Sequence, residues 1–268
     1  MKILKKSIIL GLFTFALLNT TGCKEKTKTE KEEDTGNTVE ATAPDAVVEK
    51  QQGYALDGLE HGFAQSPVNI ITNNVNDVST HKVALNYESS KEVVKNLGHT
   101  VQVNYDPGNT ISFDDKIFDF KQFHFHTPSE HLIDGMTFPM EMHMVHTLQG
   151  QKDGDTPVYL VIGLLFREGA ENPFLNEFMA AIPDTEGEES APDGKAVNVN
   201  NLLTQAGALE YYNYQGSLTT PPYTETVTWL LAKHIFEASP DQIQRFNKLE
   251  GNNARHVQAL YGRKVLEQ

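Results

Sequence analysis

The chain has 268 residues, of which 39% are hydrophobic, enough to fill the core of one large domain. Its 36 acidic against 22 basic residues leave a net charge of -14, which argues against a nucleic-acid partner, and a single cysteine, Cys23, rules out an intrachain disulfide.

Residues 1–22 begin with Lys2, Lys5 and Lys6, continue through an apolar run over 8–18, and end in small and polar residues. This is the pattern of a secretory signal peptide, too short to span a bilayer. Cys23 follows Thr20-Thr21-Gly22 and resembles the lipidation site of a bacterial lipoprotein, although Thr20 stands where such sites usually carry leucine. Residues 23–52 are rich in Lys, Glu, Thr and Asp with almost nothing to bury, so they read as a lipid-anchored flexible tether, and 53–268 as the one folded domain. The expected location is the periplasm or cell envelope, with a membrane contact only through a lipid on Cys23. Three lysines and no acids leave with the leader, which takes the charge from -14 to -17.

From Gln65 onward, alternating segments separated by Gly, Asn, Asp and Pro predict strands over 82–87, 100–105, 110–113, 118–125, 141–147, 158–166 and 226–232. The nearly unbroken apolar run 158–166 predicts a strand covered on both faces. Helices are predicted over 172–181, where Phe174, Leu175, Phe178 and Met179 follow Pro173 at helical spacing, and over 240–249.

Five of the ten histidines fall between His124 and His146. Side chains alternate between the faces of a strand, so Gln122, His124 and His126 share one face while Phe123 and Phe125 take the other. In the run from Met140 to Val145 the same rule groups Glu141, His143 and Val145 apart from Met140, Met142, Met144 and His146. If the two strands pair, three neutral imidazoles converge on one cation. They leave one corner of a tetrahedral zinc ion open, the property that separates catalytic from structural zinc.

Between these strands lies Thr127-Pro128-Ser129-Glu130-His131, and farther along Gly216-Ser217-Leu218-Thr219-Thr220-Pro221-Pro222. With Gln65-Ser66-Pro67-Val68-Asn69-Ile70 before them and Asn253-Ala254-Arg255 after, the motifs occur in the order found in the α-class carbonic anhydrases, and the chain resembles that family over residues 65–255. The resemblance implies a mainly β fold with a few helices (α+β), a single domain around a large, mostly antiparallel twisted central sheet. It implies a zinc enzyme that hydrates carbon dioxide reversibly to bicarbonate and a proton, with zinc hydroxide as the nucleophile.

Carried over by position, the resemblance makes His124, His126 and His143 the Zn2+ ligands. Gln122 would hold the second ring nitrogen of His124, Glu141 that of His143, and a backbone carbonyl near Asn253 that of His126. Thr219 and Glu130 match the pair that orients the attacking oxygen, which requires a buried, ionised Glu130. Thr220 would contact bicarbonate, and Val145, Val161, Leu218 and Trp229 match the apolar wall for carbon dioxide. His99, in Asn96-Leu97-Gly98-His99-Thr100, matches the proton shuttle, a task suited to imidazole because it titrates close to neutrality. A monomer and a homodimer are equally compatible with the sequence.

The chain departs from many bacterial relatives in two places. Its early segment, 52–57, has no Trp, which puts the family's N-terminal tyrosine in doubt at Tyr54, and Tyr223 stands where the second cysteine of a conserved bridge would be. Two rivals compete with this reading. The spacing of His124, His126 and Glu130 fits the first cupin metal motif, which would bring iron or manganese with Glu130 as a ligand. A noncatalytic module of the same fold is the other, although all three histidines and Thr219 are present.

Overall fold

The computed structural model describes residues 62–75 and 77–268. The predicted leader, Cys23, the tether and Tyr54 lie outside the described residues.

The alternating segments form a twelve-stranded twisted sheet. Its path runs Glu189–Ser190, Val93–Asn96, Val101–Asn104, Lys116–His126, Met140–Leu148, Tyr159–Glu168, Val227–Ala238, Tyr211–Gly216, Leu266–Glu267 and Asp77–Val78. Val83–Asn86 pairs with Thr110–Phe113, which joins the sheet along Lys116–His126. Among the described residues of this sheet the only parallel pairings are Tyr159–Glu168 with Val227–Ala238 and Leu266–Glu267 with Asp77–Val78.

The two faces of the sheet carry different cores. Phe118, Phe120, Phe123, Phe125, Met142 and Met144 point into the larger one, where Phe174, Phe178 and Phe246 close over them. The opposite face carries His124, His126 and His143 and a smaller cluster of Val68, Ile70, Val161, Tyr214, Val227, Trp229 and Leu231. Tyr159–Glu168 is apolar almost throughout because it lies centrally, between Met140–Leu148 and Val227–Ala238, with both faces covered.

Two expectations need correction. The predicted helix over 172–181 is a single α-turn, Pro173–Asn176, and a separate 3-10 turn, Met179–Ala181. Asn172 caps the first turn by accepting from the Phe174 amide, but Phe178 leaves helical geometry at φ -134 and ψ -11. There its ring packs 5.5 Å from Phe123 and 5.9 Å from Phe125, so tertiary packing overrides the periodicity. The strand expected to end at Ala232 continues to Ala238, because partners on Tyr159–Glu168 persist beyond the polar Lys233-His234 interruption.

The second predicted helix forms at Pro240–Glu250. Ser239 and Gln242 make a reciprocal capping box, Pro240 opens the first turn, and Gly251 ends the helix at φ +64. That end delivers Asn253 to the histidine strand, where its amide donates to the Thr127 carbonyl.

Candidate metal centre and active site

Antiparallel register sets the centre. His143 lies directly opposite His124, and Glu141 opposite His126. Ring centroids are 5.1 Å apart for His124 and His126, 5.3 Å for His124 and His143, and 4.6 Å for His126 and His143. One ring nitrogen of each lies within 4.8 Å of those of the other two.

Hydrogen bonds assign the nitrogens. His124 Nδ1 donates to Gln122 Oε1 at 2.9 Å, and His143 Nε2 donates to Glu141 Oε1 at 2.7 Å. These contacts leave His124 Nε2 and His143 Nδ1 as lone-pair donors toward the shared point. Neither nitrogen of the buried His126 makes a hydrogen bond among the described residues. The Asn253 backbone lies close enough to raise its proton affinity, but not in the bonding geometry expected from the sequence. Burial makes His126 hard to protonate, down to about 4, and lowers His124 and His143 as well. Neutral imidazoles with unpaired nitrogens fit a divalent cation, the form that metal binding requires.

Glu141 anchors this arrangement. Its Oε1 also meets His131 Nδ1 at 2.7 Å, and its Oε2 accepts from the Glu130 and His131 amides at 2.8 Å each. Burial alone would raise its carboxyl, but His131 and His143 outweigh it and hold the group well below the usual range. Gly163, opposite His143, leaves room for this carboxylate: a Cβ there would stand 3.1 Å from Glu141 Oε1. His131 Nε2 lies 2.6 Å from the Tyr214 hydroxyl, which donates to Ser66 Oγ at 2.9 Å. Sequence reasoning had left His131 and Ser66 without roles; the signals were the histidine in Thr-Pro-Ser-Glu-His and the serine in Gln-Ser-Pro.

Glu130 is buried, as expected. Its Oε1 accepts from the Arg255 amide at 2.9 Å. Its Oε2 has no hydrogen-bond partner among the described residues and stands 3.6 Å from His126 Nε2 and 3.9 Å from His143 Nδ1. Burial raises this carboxyl to about 7, while His143, the Arg255 amide and the neighbouring Thr219 side chain pull the other way. Glu130 is not part of the ligand-spaced trio.

A cavity of about 310 Å³ opens over the centre, lined by His99, Gln102, Gln122, His124, His126, Thr220 and Asn253 among others. His99 and Thr220 therefore share one space with two of the three clustered histidines. The four apolar candidates do not line that cavity. Val161 and Trp229 are almost fully buried, Val145 and Leu218 half-buried, and all belong to the smaller core. The Trp229 ring stands 4.8 Å from His143, so this cluster adjoins the centre.

Comparisons with known proteins place the chain among relatives of one family. The family described as eukaryotic-type carbonic anhydrase matches residues 55–268. The chain is 39% identical to a carbonic anhydrase of Pectobacterium carotovorum over 77% of its own length and 81% of that protein. A carbonic anhydrase of Neisseria gonorrhoeae is also 39% identical, over 77% and 78%. Among solved structures, the α-carbonic anhydrase of Thermovibrio ammonificans in complex with the inhibitor sulfanilamide superimposes with a TM-score of 0.70 at 35% identity, covering 76% of this chain and 87% of that one.

Proposed function

This chain belongs to the eukaryotic-type carbonic anhydrase family, and on that footing we propose that it hydrates carbon dioxide to bicarbonate with zinc held by His124, His126 and His143 and with His99 as proton shuttle. The observation that carries this reading is the convergence of three neutral imidazoles beside a cavity that also contains His99. When bound, zinc supplies Lewis-acid activation of water, bringing its pKa toward neutrality as in carbonic anhydrases generally.

The chain's own residues do the rest. Gln122 and Glu141 fix the tautomers of His124 and His143, so both rings present a lone pair. Glu130 faces the ligand nitrogens with its unpartnered Oε2, and positive charge there favours its ionised form. An ionised Glu130 accepts a hydrogen bond from the Thr219 hydroxyl. Thr219 is then left as an acceptor, so it admits a reactant that brings a proton and turns away one that does not. Thr220 offers bicarbonate a hydrogen bond at the cavity wall, while Val145, Val161, Leu218 and Trp229 keep the neighbouring floor dry for a nonpolar substrate. His99 takes the released proton across the cavity to solvent.

Stopped-flow hydration of carbon dioxide with and without chelator tests this directly. Activity should vanish with chelator and return with zinc; a chelator-resistant rate, or a protein that returns with iron and not zinc, sinks the reading. His99→Ala should slow turnover in weak buffer, and added imidazole should restore part of it. Sulfonamides and inorganic anions should inhibit by occupying the open position. The proposal extends to an exported protein held at the cell envelope by a lipid on Cys23, with radiolabelled palmitate incorporated in the wild type and absent in Cys23→Ser.

A further inference from the structure

His99 lies in the turn between Val93–Asn96 and Val101–Asn104, outside the ladder that fixes its neighbours. Its imidazole can relay protons only if it stays in reach of the metal centre across the cavity they share. Besides the Thr100 hydroxyl, which donates to the Phe125 carbonyl at 2.7 Å, a side chain from elsewhere in the sequence ties this turn to the histidine strand.

The Asn253 carboxamide uses its bonding capacity on three main-chain groups. Its Oδ1 accepts from the Thr127 amide at 3.0 Å, and its Nδ2 donates to the carbonyls of His99 at 2.8 Å and Phe125 at 3.1 Å. Phe125 and Thr127 are the residues on either side of His126. One planar group thus grips the backbone around a metal ligand with two bonds and the backbone of the shuttle with a third. It also forms part of the wall of the cavity that His99 and His126 share. Asparagine suits this position because the task needs one acceptor and two donors on a short stem; aspartate lacks the donors, and glutamine is longer by a methylene.

We propose that the Asn253 side chain is a positioning residue that sets the shuttle imidazole against the metal-ligand strand. The proposal rests on the reading of His99 as shuttle and deepens it. Proton return to solvent follows bicarbonate release, so it enters kcat and not kcat/KM, and a displaced shuttle has a kinetic signature that a damaged metal site lacks.

The test compares zinc-loaded wild type, Asn253→Ala, Asn253→Asp, His99→Ala and the His99→Ala/Asn253→Ala double variant in weak buffer. Asn253→Ala should lower kcat roughly tenfold while lowering kcat/KM by no more than about threefold, and imidazole should recover most of the lost kcat. In the His99→Ala background, Asn253→Ala should cost nothing further. A readout independent of turnover is amide exchange at Thr127: it should speed up in Asn253→Ala and stay protected in Asn253→Asp, which keeps the acceptor. A parallel fall of kcat and kcat/KM, or an added loss of kcat in the double variant, overturns the proposal. If His99→Ala alone turns over like wild type, the shuttle reading fails first, and the proposal with it.

Discussion

Glu250 closes the helix that delivers Asn253, and it is buried with one oxygen unmatched. Its Oε2 accepts from the Val101 amide at 3.2 Å, its Oε1 has no hydrogen-bond partner among the described residues, and the group is 7% exposed. The Thr100 and Thr127 hydroxyls lie beside it. Both already donate elsewhere, to the Phe125 carbonyl at 2.7 Å and the Gly251 carbonyl at 2.9 Å. Burial raises its pKa from 4.5 to about 8, while the Val101 amide and the two hydroxyls pull the other way. Between those values the folded state holds a proton that the unfolded chain has lost, so the contribution of Glu250 to stability is fully present below pH 4.5 and is lost as pH rises to 8. The slope is about 1.4 kcal/mol per pH unit, or about 4 kcal/mol between pH 5 and 8. Glu250→Gln keeps the acceptor for Val101 and supplies a permanent donor, so it should match wild type near pH 5 and exceed it by about that amount at pH 8. Urea titrations at both pH values, at equal zinc and read by the fluorescence of the single tryptophan, Trp229, measure the difference. Curves separated by the same amount at every pH would refute the reasoning.

Three further outcomes follow from the geometry. His146 donates from Nδ1 to the Leu160 carbonyl and accepts the Tyr87 hydroxyl on Nε2, and burial lowers it to about 3; wild type should therefore lose stability as pH falls from about 6.5 to 3, and His146→Gln should remove about one proton from that limb of the stability curve. Glu141→Gln puts an amide where two main-chain amides now donate, and should weaken zinc binding about 10- to 100-fold in competition with a chelator, whereas unchanged affinity would remove Glu141 from its role on His143. Val161→Phe should lower carbon dioxide turnover with zinc retained at full occupancy, at a cost in stability of about 1 to 3 kcal/mol; an unaffected rate would take Val161 out of the substrate wall.

The site was legible where its residues are close in sequence and on strands. Period-two alternation was enough to put His124 and His126 on one face with Gln122, and His143 on a face with Glu141, because a strand leaves no other choice. What no local pattern carries is contact between distant segments. Nothing local to Glu130 marks its role; its meaning comes from the Arg255 amide, 125 residues later, and from Thr219 beside it. The chain from Glu141 through His131 and Tyr214 to Ser66 joins three separate motifs and could not be read from any one of them. The helix over 172–181 failed for the opposite reason: its periodicity is real, but Phe174 and Phe178 are spaced to fit the aromatic core rather than to continue a helix.

Tyr223 shows how one departure from the family is absorbed. It sits at φ +59, a region that a bulky residue occupies only when its surroundings hold it there. Its amide donates to the Thr220 carbonyl at 2.9 Å, its carbonyl accepts from Gln65 Nε2 at 3.2 Å, and the Arg255 guanidinium lies 3.9 Å above its ring. Arg255 also donates to Gln65 Oε1 at 2.9 Å and to the Ser66 carbonyl at 2.7 Å. The segment before Ser66 and the loop after the double proline, which a bridge would join covalently in many relatives, are thus joined by a stacked cation and a set of hydrogen bonds. A cation over an aromatic ring contributes about 0.5 to 2 kcal/mol and each neutral hydrogen bond about 1, comparable in sum to the 2 to 4 of a disulfide. The two devices differ in where they act. A disulfide restricts the unfolded chain and is indifferent to the site, whereas this clamp exists only in the folded state and passes through Arg255, whose amide holds Glu130 Oε1. Loosening it therefore acts on fold stability and on the Glu130 carboxyl together, a coupling that a covalent bridge at the same place does not impose.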